Sequence, residues 1–321
     1  MLSDEAQPAI APRRASSRNY WAISLHRLLR KKVGIACLTI ILLMYGSGIL
    51  APLVTPYGYN DQDLSITKQG PSIGHPFGTD RLGRDILTRI IYGLRTTVII
   101  TVVTLVTGSL ILGITMGLLA GYFGKWIDTL VMRVGEVTSA FPEIFLVLII
   151  ISTLKPPITD WVRGIEETVG IDIIRLGVVD YFVLSLALAI FSWFGMARLV
   201  RGQVLQAREN QYVEAARAIG ASTPRILAKH VLPNVMGPVI VMVSAGLAGV
   251  AGSEIFLSFL GIGIQPPTPS LGLMIFQNGS ISVLRSDPHL LLFPVLTLSL
   301  LLFTFNLLGD AVNDAFNPRA R

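Results

Sequence analysis

Carboxylates set in or beside apolar runs are the residues of this chain best suited to chemistry. Asp310 and Asp314 stand at an i, i+4 step, which resembles a pair for acid/base work, but no pocket partner accompanies them and a solvated helix end is the better reading. Glu254 stands in GSEIFLSFLGIG, deep in apolar sequence, where a carboxylate facing lipid would be costly. It either borders a substrate path or hydrogen-bonds a neighbouring helix. Glu136, Pro142 and Glu143 lie near the start of another apolar run, where a proline kinks or unwinds a helix beside acids, and such breaks often line a path. Enzyme motifs are missing. The chain has no HExxH zinc helix, no Ser/His pair within the apolar runs and no GxxxxGK[ST] phosphate loop. Cys37 is the only cysteine, so neither an internal disulfide nor a cysteine metal site can form. No catalytic residue, metal or cofactor of its own is expected.

The elements that must hold these groups are membrane helices. Of 321 residues 52% are hydrophobic and only 14% charged. The charges avoid long windows over 33–54, 97–123, 134–154, 181–199, 235–257 and 289–308, each of which approaches or exceeds the roughly 20 residues that cross hydrocarbon. An all-α polytopic protein with six transmembrane helices follows. The net charge of +6 is explained by position rather than by nucleic acid. Arg13, Arg14, Arg18, Arg27, Arg30, Lys31 and Lys32 precede the first window, while Arg198, Arg201, Arg208, Arg217, Arg225 and Lys229 lie between the fourth and fifth. Basic flanks stay in the cytoplasm, so both termini are expected there. The acidic joint with Asp160, Glu166, Glu167, Asp172 and Asp180 suits an outer loop. The segments read as a tail and interfacial helix over 1–32, a first span over 33–54, an outer segment over 55–96, a core over 97–309 and a tail over 310–321.

Within the core, residues 201–233 form a polar island, and 214–233 reads EAARAIGASTPRILAKHVLP. Tyr212, Ala215, Ala216 and Ile219 fall on one side of a helix, with Glu209, Asn210, Glu214 and Arg217 largely on the other. Gly220 suits a left-handed helix end, Thr223 a cap, Pro224 a first turn, and Pro233 closes a second short helix before the next span. In the outer segment, Leu82, Ile86, Ile90 and Leu94 recur every four residues, which predicts an amphipathic helix that is either stapled to the bilayer or a docking element. Gly113, Gly117 and Gly121, at four-residue steps after Gly108, predict close helix packing. The run 155–180, with Pro156 and Pro157, is an outer insertion with no assigned function.

In their order and spacing these features resemble the permease subunits of binding-protein-dependent ABC importers. Glu214, Ala215, Ala216, Gly220, Leu232 and Pro233 match the EAA loop, with Arg217 beside them. GTDRLGRD at 78–85, AGYFG at 120–124, AFP at 140–142, LSFLGIG at 257–263, QPPTPS at 265–270 and GDAVNDAFNPR at 309–319 are similar to the C-type subunit of the dipeptide, oligopeptide and nickel branch. His230, Asn313 and Asn317 depart from that pattern. The resemblance implies a type I importer permease fold and an inner-membrane location. It also implies a B-type permease partner, two cytoplasmic ATPase subunits that hold ATP and Mg, and an external binding protein for peptides or another small solute. Coupling would run through Glu214, Ala215, Ala216, Arg217 and Gly220, and outer docking would involve Thr79, Asp80, Gly83, Arg84 and Asp85. Two rivals are weaker. A DNA-reading helix-turn-helix is disfavoured because Pro233 leads straight into a span, and an ion-coupled transporter because Glu254 is nearly alone.

Overall fold

The computed structural model describes residues 17–170 and 174–316. Arg13, Arg14, Asp172 and the tail from Asn317 onward lie outside the described residues. Six helices are long and apolar enough to cross a membrane, and the only β pairing among the described residues is a single bridge between Thr79 and Asp85. Helix α1 (Ser17–Arg30) leads into α2 (Lys32–Ile49) and the short α3 (Ala51–Val54). After a long extended segment, α4 (Ile86–Thr104) continues through a π-helical stretch at Leu105–Gly113 into α5 (Ile114–Phe123). Next come α6 (Lys125–Ser139), α7 (Glu143–Val169) and α8 (Val178–Ala207). Helix α9 (Gln211–Ala218) and α10 (Thr223–Ile226) precede a second π-helical stretch, Leu227–Val231, which runs on into α11 (Leu232–Phe259). The chain finishes with α12 (Leu271–Asn278), α13 (Ile281–Ser286) and α14 (His289–Phe316).

Helix α8 is the centre. In its most apolar stretch 56% of residues are buried, against 11% for the stretch that covers α7. In lipid the drive for this packing is close contact, not exclusion of water, and small residues permit it. The glycines of the second span supply that contact. A Cβ on Gly117 would lie 2.6 Å from the Val200 side chain, and one on Gly121 would lie 2.7 Å from Val204. Gly113 meets Met196 and Gly108 meets Ala189 and Ser192 in the same way. The five-residue step from Gly108 to Gly113 falls in the π-helical stretch, whose wider turn returns Gly108 to the face used by the other three. Helix α1 meets the last turns of α14: Leu28 packs with Ala311 and Ala315, and Lys31 pairs with Asp314 at 2.8 Å. Asp310 is exposed, so these two aspartates form no catalytic pair.

Three expectations are corrected. Residues 82–94 do not make a separate interfacial helix: α4 starts at Ile86, and Ile86, Ile90 and Leu94 are buried against α11, α12 and α14. The apolar period was real, but it reads the opening turns of the second span. The third span does not start at Val134. Pro142, which has no N–H and holds an extended conformation, separates an amphipathic α6 from α7. Helix α7 then continues through Pro156 and Pro157 to Val169, so most of the supposed outer insertion is helix. Finally, Pro233 ends nothing. It occupies the first turn of α11, where a missing N–H costs no hydrogen bond, and the preceding π-helical turn joins the helices into one span of 37 residues, Thr223–Phe259.

Candidate functional site

The elbow between α8 and α11 is built from its buried face outward. Val213 and Ala216 are the residues of α9 that enter the core, packed with Val204, Ala207, Ile226 and Val231. Tyr212 packs partly against them, whereas Ala215 is exposed and Ile219 is 84% exposed. The expected apolar side is therefore rotated: Val213 replaces Ala215 and Ile219 in the core. What α9 shows to solvent is Gln211, Glu214, Ala215, Arg217 and Ala218, with Ile219 at its end. Arg217, though exposed, leans over the end of α5. Its guanidinium carbon sits 5.2 Å from the centre of the Tyr122 ring, and its Nε donates to the Tyr122 hydroxyl at 3.4 Å.

Helix α9 ends in a Schellman turn. The Gly220 N–H donates to the Arg217 carbonyl at 2.9 Å and the Ala221 N–H to the Ala216 carbonyl at 3.0 Å, with Gly220 at φ +78°. Ser222, not Thr223, then caps the next helix, with Thr223 and Pro224 in its first turn. Leu232 and Pro233 are half-buried at the start of α11. The elbow is also tied to the rest of the bundle. Arg208 donates to the Gly121 carbonyl at 3.1 Å, and Arg201 makes a two-pronged ion pair with Asp128 of α6. Neither bond was foreseeable, since their partners are 87 and 73 residues apart in sequence.

The 78–85 segment is inward-facing. Asp80 accepts from the Leu82 and Arg84 amides at 2.8 and 3.1 Å and from Arg84 Nε at 2.8 Å, and Arg89 Nε approaches it at 3.6 Å. Asp85 caps α4 through the Thr88 N–H at 2.7 Å and holds His75 Nδ1 at 2.9 Å. The Thr79 hydroxyl donates to the Ile66 carbonyl and accepts from the Gln69 N–H at 2.9 Å. At Gly83 the backbone has φ +70°, and a Cβ would overlap the Asp63 carbonyl at 1.7 Å. All five residues expected to dock a partner are buried, so the segment is a structural clasp. It ties the 55–85 segment to the ends of α13 and α14: Phe77 stacks on Phe293 at 4.1 Å and Lys68 pairs with Asp287 at 3.2 Å. The Ser286 hydroxyl, and then Lys68, hold the Asp287 carboxyl below the usual carboxylate range.

The remaining acids separate. Glu254 is fully buried and accepts from the Thr97 hydroxyl at 2.8 Å and the Ser258 hydroxyl at 3.0 Å, binding α11 to α4. Of its two readings the structure shows the helix-to-helix bond. Glu136 is exposed and pairs with Arg133 at 3.0 Å. Pro142 makes the break between α6 and α7, and Glu143, the first residue of α7, lines two adjoining cavities of 260 and 330 Å³ with Ser253. The sequence names Glu136, Pro142 and Glu143 at this break, and of the two acids it is Glu143 that lines the space.

A helical bundle with six candidate spans, a glycine-packed centre and a projecting elbow is the architecture of a multi-pass membrane protein. The description "binding-protein-dependent transport system inner membrane component" matches residues 113–321, and the N-terminal TM domain of oligopeptide transport permease C matches 19–71. The chain is 34% identical to a dipeptide transport system permease protein of Alkalihalophilus pseudofirmus over 100% of both chains. It is 35% identical to a glutathione transport system permease protein of Pectobacterium atrosepticum over 95% of this chain and 93% of the relative. With an oligopeptide transport system permease protein of Bacillus subtilis the identity is 32%, over 95% and 92%. The chain belongs to the binding-protein-dependent transport system inner membrane component family.

Proposed function

We propose that this chain is one half of a peptide-importing channel whose movement is driven by ATPase subunits seated on α9. The observation that carries the reading is the division of α9 into two faces: Val213 and Ala216 are locked into the bundle while Glu214, Ala215 and Ile219 project from it. An apolar side chain that is 84% exposed beside a carboxylate, on a helix rigidly joined to two spans, is a knob fitted to a groove on another protein. Force on it reaches α8 directly and α11 through the continuous 37-residue span. The basic residues around this end, Arg30, Lys31, Lys32, Arg208, Arg225 and Lys229, support a cytoplasmic position for it and for both termini. The second permease is of the B type and meets this chain at its open α7 side, and an external binding protein delivers cargo. ATP and Mg belong to the ATPase subunits.

The cargo is assigned to peptides because the relatives' names give dipeptides, oligopeptides and glutathione. Nickel chelates or another small solute are the competing cargo, and an ion-coupled mechanism is the competing drive. The complete complex in proteoliposomes tests all of these. Labelled dipeptide should enter only with ATP, and Glu214→Arg or Ile219→Asp should detach the ATPase subunits while leaving the two permeases together. Uptake without ATP would remove the coupling role, and nickel chelate uptake in preference to peptide would reassign the cargo.

A further inference from the structure

Glu143 stands where a broken helix meets open space. It shares its first cavity with Leu188, Phe191 and Ser192, which belong to the middle turns of α8, itself one of the six candidate spans. Hydroxyl groups of Ser109, Ser192 and Ser253 line the same 260 Å³ space. Among the described residues, none makes a hydrogen bond or ion pair with the Glu143 carboxylate. The contrast with Glu254 is direct, since that acid is enclosed and has two hydroxyl donors. A mid-depth carboxylate is costly unless water or a cation reaches it, and interrupted helices are tolerated at this depth where they line a cavity. A third cavity, of 530 Å³, lies further along α7 and just beyond the end of α11, lined by Ser152, Lys155, Asp160 and Gly261. Asp160 is the acid of that third cavity, and Glu143 is the acid of the other two.

We propose that Glu143 lines the transport path and binds a cationic group of the cargo, the free ammonium of a peptide, as it passes the middle of the membrane. This rests on the peptide reading above. In the reconstituted complex, Glu143→Gln should lower uptake of a zwitterionic dipeptide about tenfold, the effect of losing one charge-assisted hydrogen bond, with subunit assembly unchanged and Glu143→Asp recovering part of the rate. A second measurement places cysteine at 143 in a Cys37→Ser background and compares adducts of equal size, sulfonatoethyl and ammonioethyl. The thiol should react, and the anionic adduct should transport faster than the cationic one. Wild-type uptake in Glu143→Gln, an unreactive thiol, or equal rates for the two adducts would each overturn the proposal. A wild-type complex that takes up no peptide would count against the peptide reading alone, and reactivity at 143 would still decide whether this carboxylate faces water.

Discussion

At the scale of single residues, charges at this membrane's edge and interior act mainly as fasteners. Asp80 neutralises Arg84 and Arg89 inside the clasp, and all three are buried. Asp80→Ala leaves two buried guanidinium groups without their counter-charge and should destabilise the permease by about 3–5 kcal/mol. Detergent-extracted complex should melt earlier and reach lower abundance, whereas a docking residue would leave both unchanged and weaken only binding-protein affinity. The pattern GTDRLGRD was legible as a turn followed by a helix start, and its glycines and aspartates do serve a turn and a cap. What the pattern did not reveal was direction. Charge in an outer segment predicts exposure, and only the fold shows Arg89 reaching the Tyr59 carbonyl at 3.2 Å across 30 residues.

At the scale of elements, the elbow's hinge is a glycine and its lever is a helix that does not stop. Gly220→Val forces a branched side chain into left-handed backbone at a cost of about 1–2 kcal/mol, although no neighbouring atom obstructs it. Uptake per ATP hydrolysed should fall, while Gly220→Asn, which tolerates that conformation, should stay close to wild type. The bend, the amphipathic character of α9 and the glycine seam were all readable from spacing. The rotation of α9 was not, because Tyr212, Val213, Ala215, Ala216 and Ile219 leave two overlapping apolar arcs and packing on Ile226 and Val231 selects one. Helix ends failed at prolines for one shared reason. Pro233 sits in a first turn and Pro156–Pro157 inside α7, positions where local bonding absorbs the missing donor, whereas Pro142 truly interrupts the chain.

At the scale of the whole molecule, the six spans are unequal. Helix α8 is enclosed by its own chain, while α7 leaves Phe145, Leu148, Ile149 and Trp161 uncovered. Limited proteolysis of the permease produced alone should cut in α6–α7 well before α8, and production with the proposed second permease should protect α7 selectively. Equal protection in both preparations would show that α7 needs only lipid. The number of spans was evident from hydropathy, and their inequality was not, since apolar sequence is the same whether it faces lipid, a sister helix or a second subunit.

The contact between Lys31 and Asp314 gives the bundle a property that no single helix has. Helix α14 packs on α11 along one side and on α1 and α2 along the other. A push that travels up α11 is therefore handed on to the first span through α14, so that side of the bundle can swing as one block instead of peeling apart.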